Sequence, residues 1–201
     1  MTGICLNLRA TLALVALGAN LSSWASSPAD TLRAALRTLA EDETEGNRFR
    51  LCAVSRFWRT PAYPAGSGPD YVNAAALLDT GGATPEAVLA RLHAVEAAFG
   101  RTREARWAAR GLDLDLLAMG DTIRPDAATQ DSWRALPPAD QARLAPETLI
   151  LPHPRVQDRG FVLAPLAEIA PGWRHPRTGQ TVTQMLAALP PGDLAEMRAL
   201  P

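Results

Sequence analysis

The most informative stretch of this chain covers residues 100–117, with the sequence GRTREARWAARGLDLDLL. Its first half surrounds Trp107 with four arginines, which are Arg101, Arg103, Arg106 and Arg110. Its second half alternates leucine with aspartate, in the order Leu112, Asp113, Leu114, Asp115 and Leu116. An arginine-rich segment is therefore followed directly by an acidic, alternating one.

Strict alternation of apolar and polar residues predicts a β-strand, because successive side chains of a strand point to opposite faces. The leucines then enter a core, and Asp113 and Asp115 share the other face at a separation of roughly 7 Å. Magnesium is usually bound by one or two carboxylates together with substrate phosphates, and the nearby guanidinium groups are planar donors for phosphate oxygens. The stretch indicates a site for a magnesium–nucleotide phosphate; the alternative is a solvated strand face after a charged loop.

Length and composition limit the classes of protein that are compatible with the chain. Its 201 residues suit one domain with a sizeable core, so residues 1–201 are expected to form a single domain. The net charge of −1 provides no field that attracts nucleic acid or a membrane surface. All 20 basic residues are arginine, which excludes a lysine-dependent P-loop. Cys5 and Cys52 form neither a metal spacing nor a disulfide framework, which favours reduced thiols and a cytoplasmic location.

Hydrophobic periodicity and capping residues predict two strand–helix–strand units. The predicted strands cover residues 11–17, 48–60, 71–78 and the acidic segment, and the two helices begin at Ser27-Pro28 and at Thr84-Pro85. Gly18-Ala19-Asn20 is expected to be a turn after the first strand, and Gly46-Asn47 to end the first helix. Two such units give an α+β fold, a ferredoxin-like antiparallel sheet with helices packed on its faces, in which the two units place their helices on the same face.

Several segments are not explained by this pattern alone. Residues 1–10 are expected to be a loose extension. Arg9 followed by the apolar run at 10–19 could pass for a signal peptide, but the run is short and breaks into Gly18-Ala19-Asn20, so residues 11–17 are expected to form a strand instead. Residues 126–146 are polar and proline-rich and are expected to form a surface insertion with a helix around 132–144. Further helices are predicted at 160–169 and 181–189. No run approaches the ~20 apolar residues of a membrane span.

A second candidate for chemistry is His153, which stands between Pro152 and Pro154 and therefore on a stiff backbone. With Arg155 and Arg159 close in sequence, it suits a phosphate site; the alternative is a surface loop that only closes the insertion. The three histidines are too widely spaced for a zinc signature.

Tyr71 and Asn73 leave the proline- and glycine-rich loop at 61–70 and, being two residues apart in a strand, share one face. The Asn73 amide carries both a donor and an acceptor, which suits the edge of a heterocycle. Phe161 could stack on such a ring. The alternatives are an ordinary loop-end asparagine and a core phenylalanine.

Together these motifs resemble the 6-hydroxymethyl-7,8-dihydropterin pyrophosphokinase family, from about residue 13 to residue 189. The matching residues, in order, are Gly18-Ala19-Asn20, 55–61, Tyr71-Val72-Asn73, Glu96, Gly100-Arg101, Arg106-Trp107, Arg110, Asp113, Asp115 and 152–163. The resemblance implies transfer of the β,γ-pyrophosphoryl group of ATP to the hydroxymethyl oxygen of the reduced pterin, with release of AMP, in folate biosynthesis.

The resemblance also implies a role for each matching residue. Asp113 and Asp115 would bind two Mg²⁺ ions with ATP, and Arg101 and Arg110 would act in catalysis. The implied ATP-binding residues are Arg101, Arg106, Trp107, Arg110, Leu116, His153 and Arg159, with Leu116 near the adenine. The implied pterin-binding residues are Thr60, Pro61, Ala62, Tyr71, Asn73, Asp113 and Phe161.

The implied partners are therefore ATP and the pterin, for a monomer that binds neither nucleic acid nor membrane. One alternative is a ferredoxin-like nucleic-acid-binding module, since that fold hosts RNA binders and arginine is abundant. Asp113 and Asp115 beside the arginines disfavour it, because they would repel phosphate, as does the net charge. A catalytically inactive relative is a further alternative, disfavoured by the complete set of charged positions.

Overall fold

The structure is a computed structural model and describes residues 10–21, 27–41, 43–44, 47–62, 68–100 and 111–201. The expected extension at 1–10 falls almost entirely outside these ranges. So does the arginine-rich segment, with Arg101, Arg103, Arg106, Trp107 and Arg110.

The described residues form eight strands and six α-helices. The strands are β1 (Leu12–Ala19), β2 (Glu43–Thr44), β3 (Asn47–Arg48), β4 (Arg50–Val54), β5 (Trp58–Thr60), β6 (Tyr71–Asp79), β7 (Asp113–Met119) and β8 (Arg198–Ala199). The helices are α1 (Pro28–Glu41), α2 (Pro85–Ala98), α3 (Ala127–Arg134), α4 (Pro138–Arg143), α5 (Gly160–Ile169) and α6 (Val182–Ala187). Short 3-10 turns cover Val156–Asp158 and Pro191–Leu194.

The main sheet has the order β7-β1-β6-β5-β8, and β4 also pairs with β6. All of these pairings are antiparallel. Each of the two strand–helix–strand units therefore has a strand of the other unit inserted between its own strands, as the ferredoxin-like arrangement requires. The predicted fold class is confirmed.

The helices cover both faces of the sheet. On one face, Val15, Leu17 and Leu78 pack against α1 and α2 through Leu32 and Leu92. This agrees with the expectation that the two units place their helices together. On the other face, a second cluster joins the sheet to α5 and α6, and its largest fully buried side chains are Leu14, Leu117, Leu163, Leu166 and Met185. The strand β1 lies between both layers, which explains its continuous apolar sequence.

The capping residues define the helix starts as expected. The Ser27 hydroxyl accepts from the backbone N–H of Asp30 at 3.2 Å, and the Thr84 hydroxyl accepts from Ala87 N–H at 3.2 Å. Among the helices of the described residues, none has the length and apolar character that crossing a bilayer needs.

Four boundaries differ from the sequence prediction. β1 continues through Gly18 and Ala19 instead of turning there, because both residues pair with β6. α1 already ends at Glu41, before Gly46-Asn47. The strand predicted over 48–60 is interrupted at 49 and at 55–57. The helix expected around 132–144 is two helices, α3 and α4, because the prolines at 137 and 138 cannot continue a helix interior.

Candidate active site

The acidic strand has the predicted orientation. Leu112, Leu114 and Leu116 are 1, 2 and 3% exposed and belong to the core beneath α1 and α2. Asp113 and Asp115 alternate with them along β7 and are partly exposed. Since side chains alternate along a strand, the two carboxylates lie together on the opposite face of the sheet, where they can bind a ligand.

A row of residues crosses the sheet at this level. Gly18 of β1 pairs with Asn73 of β6 on one side and with Asp113 of β7 on the other. Directly paired residues of neighbouring strands project to the same face, so the amide and the carboxylate face the same side. Neighbouring strands lie about 4.8 Å apart, which puts the backbones of Asn73 and Asp113 roughly 10 Å from each other.

Gly18 has no side chain between these two groups, and the space above it is occupied by Asn73. A Cβ atom at position 18 would lie 2.9 Å from Asn73 Oδ1. The Asn73 Nδ2 group donates to Thr60 Oγ1 at 2.7 Å. The carboxamide is thus oriented between Thr60 and Gly18, and both Asn73 and Thr60 are buried, at 6 and 4% exposure.

The strand register also brings several of the other predicted pterin residues close to Asn73, namely Thr60, Pro61, Ala62 and Tyr71. Tyr71 pairs with Thr60, so its side chain is on the same face as Asn73 and it is half-buried. Pro61 is exposed and Ala62 is buried, at the end of β5 next to Thr60. The structure therefore places these residues in one neighbourhood at the ends of β5 and β6.

Arg159 connects the acidic strand to the start of α5. Its Nη1 atom is 3.4 Å from Asp115 Oδ2, in an ion pair whose side chains are 25 and 35% exposed. The same guanidinium lies 5.7 Å from the centre of the Phe161 ring. Phe161 is 40% exposed although it is a large apolar residue. A cation, a carboxylate and an accessible aromatic ring are therefore adjacent at one edge of the site.

His153 is attached to the same strand and is held in its neutral form. Its backbone N–H donates to Leu117 O of β7 at 2.7 Å, and its Nδ1 atom accepts from Arg155 N–H at 3.1 Å. Burial lowers the pKa of His153 to about 3, with further lowering by Arg159 and Arg155 and a smaller opposing effect of Asp113. Because Nδ1 is an acceptor, the neutral ring carries its hydrogen on Nε2, as a donor for an anion.

The strand alternation limits how Leu116 could lie near an adenine. The Leu116 side chain lies in the core on the face opposite to the aspartates, since it follows Asp115 in the strand alternation. It cannot contact an adenine on the acidic face. Leu114 donates its N–H away from β1, to Glu96, and Leu116 has the same strand parity. Any contact of Leu116 with a base would therefore be made by its backbone at the open edge of β7.

Two contributors to the site were not assigned roles by the sequence. Glu96 of α2 is 1% exposed and accepts from Leu114 N–H at 2.8 Å, between the two aspartates. Gln130 of α3 is fully buried and donates to Pro152 O at 3.2 Å, next to His153. Glu96 follows Leu92 by four residues on the apolar stripe of α2, which is a sequence signal for a buried acid. Nothing in the sequence indicated that its partner is the Leu114 N–H. No sequence pattern indicated that Gln130 is buried next to His153.

The fold and the site together define the class of protein to which this chain belongs. An antiparallel α+β sheet presents two carboxylates on one face, and an arginine and a neutral histidine donor lie beside them. Within the described ranges, no group of three or more His, Cys, Asp or Glu side chains is placed to hold a metal ion by itself. Such a site suits a ligand that brings its own oxygen donors with the metal, as a magnesium–phosphate complex does.

Comparison with known proteins identifies the family within this class. The sequence matches the model of the 7,8-dihydro-6-hydroxymethylpterin-pyrophosphokinase (HPPK) family over residues 14–171. The chain therefore belongs to the HPPK family.

Two curated relatives support this assignment, both named 2-amino-4-hydroxy-6-hydroxymethyldihydropteridine pyrophosphokinase. The protein of Synechocystis is 38% identical over 174 residues, which cover 87% of this chain and 74% of the relative. The protein of Methylorubrum extorquens is 35% identical over 184 residues, which cover 92 and 97%.

Solved structures show the same fold. A crystal structure of an HPPK-DHPS in complex with substrates superposes with a TM-score of 0.59 at 11% identity, covering 88% of this chain and 45% of the other. The wild-type HPPK-DHPS of Plasmodium falciparum gives a TM-score of 0.57 at 12% identity, covering 88 and 44%. This chain thus spans less than half the length of those chains, and the likeness concerns the fold alone.

Proposed function

We propose that this protein transfers the β,γ-pyrophosphoryl group of ATP to the hydroxymethyl group of 6-hydroxymethyl-7,8-dihydropterin, giving the pterin diphosphate and AMP in folate biosynthesis. The observation that carries the proposal is the row of site residues across the sheet. The acid pair of β7 and the Asn73 amide of β6 face the same side, and Gly18 lies between Asp113 and Asn73. A phosphate donor at one end and a heterocycle at the other would be adjacent.

Asp113 and Asp115 would hold the magnesium that accompanies ATP, and we assign two ions to the pair. The residues present fit this metal, because carboxylate oxygens are hard donors and both side chains are partly exposed. Bound there, magnesium would neutralise charge on the transferred phosphates. The described protein groups contribute only part of a coordination shell, so phosphate oxygens and water would complete it.

Arg159 and His153 would bind the phosphate chain. Arg159 reaches Asp115 at 3.4 Å and can move its guanidinium onto a phosphate oxygen that approaches the same carboxylate. The neutral His153 would donate from Nε2 without changing its charge near neutral pH. Arg101, Arg106, Trp107 and Arg110 lie outside the described residues, and their roles in ATP binding and catalysis remain predictions from the family resemblance.

The pterin would lie against Asn73, with its ring between Tyr71 and Phe161. Asn73 is pre-oriented by Thr60 at 2.7 Å, so it pays little conformational entropy on binding a heterocycle. Phe161 is 40% exposed and held next to Arg159, which leaves a ring face for stacking. Backbone groups at Pro61 and Ala62 would complete the recognition.

We further propose a monomer that works in the cytoplasm. The edge of β5 is covered by β8, and the Leu114 N–H at the open edge of β7 is bonded to Glu96. A covered edge at β5 and an occupied N–H group at β7 leave less of the usual template for pairing with another sheet. The Cys52 thiol is exposed and unbridged, as is usual in a reducing compartment.

The experiment is an AMP-release assay with ATP, magnesium and the pterin. The wild-type protein is expected to form AMP only when the pterin is present. Asp115→Asn keeps the shape of the side chain but removes the charge that would hold the metal, so kcat should fall about 100-fold or more.

Asp121→Asn is the matched control, because Asp121 is an exposed aspartate just beyond the same strand. It should retain parental turnover. Circular dichroism and denaturation midpoints should show that both variants are folded. Parental AMP formation by folded Asp115→Asn would remove the metal assignment, and a wild-type protein that forms no AMP would overturn the proposed function.

A further inference from the structure

The peptide unit between Pro152 and His153 is held from two sides. On one side, Gln130 Nε2 of α3 donates to the Pro152 carbonyl oxygen at 3.2 Å. On the other side, the His153 N–H donates to Leu117 O of β7 at 2.7 Å. The carbonyl and the N–H belong to one rigid plane. The two bonds therefore fix the plane between α3 and the strand that carries the aspartates.

The two prolines of this segment have few ways to be held. Pro152 and Pro154 lack backbone N–H groups, so their carbonyl groups are the available anchors. Each carbonyl accepts from a glutamine side chain, Pro152 from Gln130 at 3.2 Å and Pro154 from Gln157 at 2.9 Å. Of these two glutamines, Gln130 is the one that is fully buried and that comes from the insertion.

The helix that carries Gln130 is itself anchored. Asp126 caps its start by accepting from Thr129 N–H at 2.9 Å. Asp131, the next residue after Gln130, receives two bonds from Arg177, at 3.2 Å from Nε and 2.5 Å from Nη2. These bonds hold the pKa of Asp131 well below its usual range. α3 is thus attached to the segment before α6, and Gln130 projects from a fixed support.

We propose that Gln130 is a positioning residue for ATP binding, and that α3 of the insertion serves to hold His153 against β7. Gln130 touches neither substrate in this assignment; it acts through the Pro152–His153 peptide. The inference rests on the proposed function, because the binding of ATP phosphate by His153 is part of that proposal. It gives the insertion a role in the site instead of leaving it a surface excursion.

The test compares Gln130→Met with Gln141→Met. Methionine has a similar length but no donor, so Gln130→Met removes the bond to Pro152 O with little change in volume. Gln141 lies in the same insertion and makes the same kind of bond, from Nε2 to Leu136 O at 2.5 Å, away from His153. It therefore controls for general loosening of the insertion.

Three quantities are measured: the affinity for the magnesium complex of a non-hydrolysable ATP analogue, the hydrogen exchange of the His153 amide, and kcat with the KM for each substrate. In Gln130→Met, nucleotide affinity should fall roughly tenfold, and the amide should exchange roughly tenfold faster, as loss of one hydrogen bond implies. The KM for ATP should rise accordingly, while kcat and the KM for the pterin should change less than about twofold. Gln141→Met should match the wild type in all three.

Unchanged nucleotide affinity and exchange in Gln130→Met would overturn the inference, as would equal losses for ATP and pterin or equal effects in Gln141→Met. If Gln130→Met does not fold, Gln130→Leu replaces it, since leucine is also apolar and cannot donate to the Pro152 carbonyl. A wild type that forms no AMP overturns the proposed function instead. An active wild type with unaffected Gln130 variants overturns only this inference.

Discussion

Gly18 shows how much of the site depends on a single side chain being absent. Its neighbours on both sides in the sheet, Asn73 and Asp113, are proposed to bind the two substrates. The sequence analysis placed Gly18 in a turn, for the usual reason that glycine favours turns. The structure gives a different reason, since the glycine lies within β1 and makes room for the Asn73 amide.

We expect Gly18→Ala to destabilise the fold and to weaken pterin binding. The new Cβ would lie 2.9 Å from Asn73 Oδ1 and would force the buried amide away from Thr60. Overpacking of this kind costs about 1–3 kcal/mol of unfolding free energy. Urea denaturation measures the cost, and titration with the pterin measures the loss of affinity.

The double variant Gly18→Ala/Asn73→Ala provides the control for this prediction. Without the Asn73 amide there is nothing at that distance to displace, so the stability cost of Gly18→Ala should largely disappear in the Asn73→Ala background. A cost that is the same in both backgrounds would show that the clash is not the cause.

The strand β7 is an example of an element whose chemistry depends on a neighbour. Within the part of the chain that the structure describes, β7 is an edge strand paired with β1, and the backbone N–H of Leu114 faces away from the sheet. Glu96 of α2 accepts the Leu114 N–H at 2.8 Å in a buried position. The Leu114 N–H and the Asp113 carbonyl share one peptide plane, so this bond also restrains the backbone that carries Asp113.

Glu96→Leu is expected to lower the unfolding free energy by about 1–3 kcal/mol, because it leaves a buried N–H without its acceptor. Glu96→Gln should be milder, since its side-chain carbonyl can still accept. Amide exchange at Leu114, followed by NMR, should be faster in Glu96→Leu than in Glu96→Gln.

Glu86→Gln is the matched control for the helix, because Glu86 lies on α2 in an exposed ion pair with Arg124 at 3.3 Å. Its cost should remain within about 1 kcal/mol, as for other surface pairs. Equal losses for Glu96→Leu and Glu86→Gln would mean that Glu96 does not support β7.

The molecule as a whole holds two histidines near α3 in neutral form, His153 partly buried and His175 fully buried. Burial, with the nearby Arg159 and Arg155, lowers the pKa of His153 to about 3. Burial, with the nearby Arg134, lowers the pKa of His175 to about 4. In the unfolded chain both would titrate near their usual value of about 6.5.

Stability should therefore fall as the pH decreases below about 6.5. In that range the unfolded state binds protons that the folded state does not, until the folded pKa values are reached. By pH 5 the loss should be about 2 kcal/mol for each histidine, relative to pH 8. Urea denaturation at several pH values between 8 and 5 measures it.

The pH range from 8 to 5 lies above the range in which most carboxylates titrate, so the histidines account for most of the change in stability within it. His175→Gln should remove about half of the pH dependence, since glutamine does not titrate. A denaturation midpoint that does not change between pH 8 and 5 would contradict the buried neutral state of both rings.

Local sequence patterns were sufficient to predict the acidic strand, the starts of two helices and the fold class of this protein. The alternation at 112–116 gave the acidic strand and its two faces, and the caps at Ser27 and Thr84 gave the helix starts. These signals are readable because each depends on neighbours within a few residues. The order of strands and helices gave the ferredoxin-like class, and the spacing of motifs gave the HPPK family.

Other features arise only from contacts between distant parts of the chain. Residues 18, 73 and 113 form one row because three strands pair in register, and no local pattern encodes that register. Gln130 and Pro152 are 22 residues apart, and Leu114 and Glu96 are 18 residues apart. Hydrogen bonds of this kind join groups that approach each other only after the core has packed. The residues proposed for the site could therefore be selected from the sequence by their type, whereas the supports that hold them in place could not.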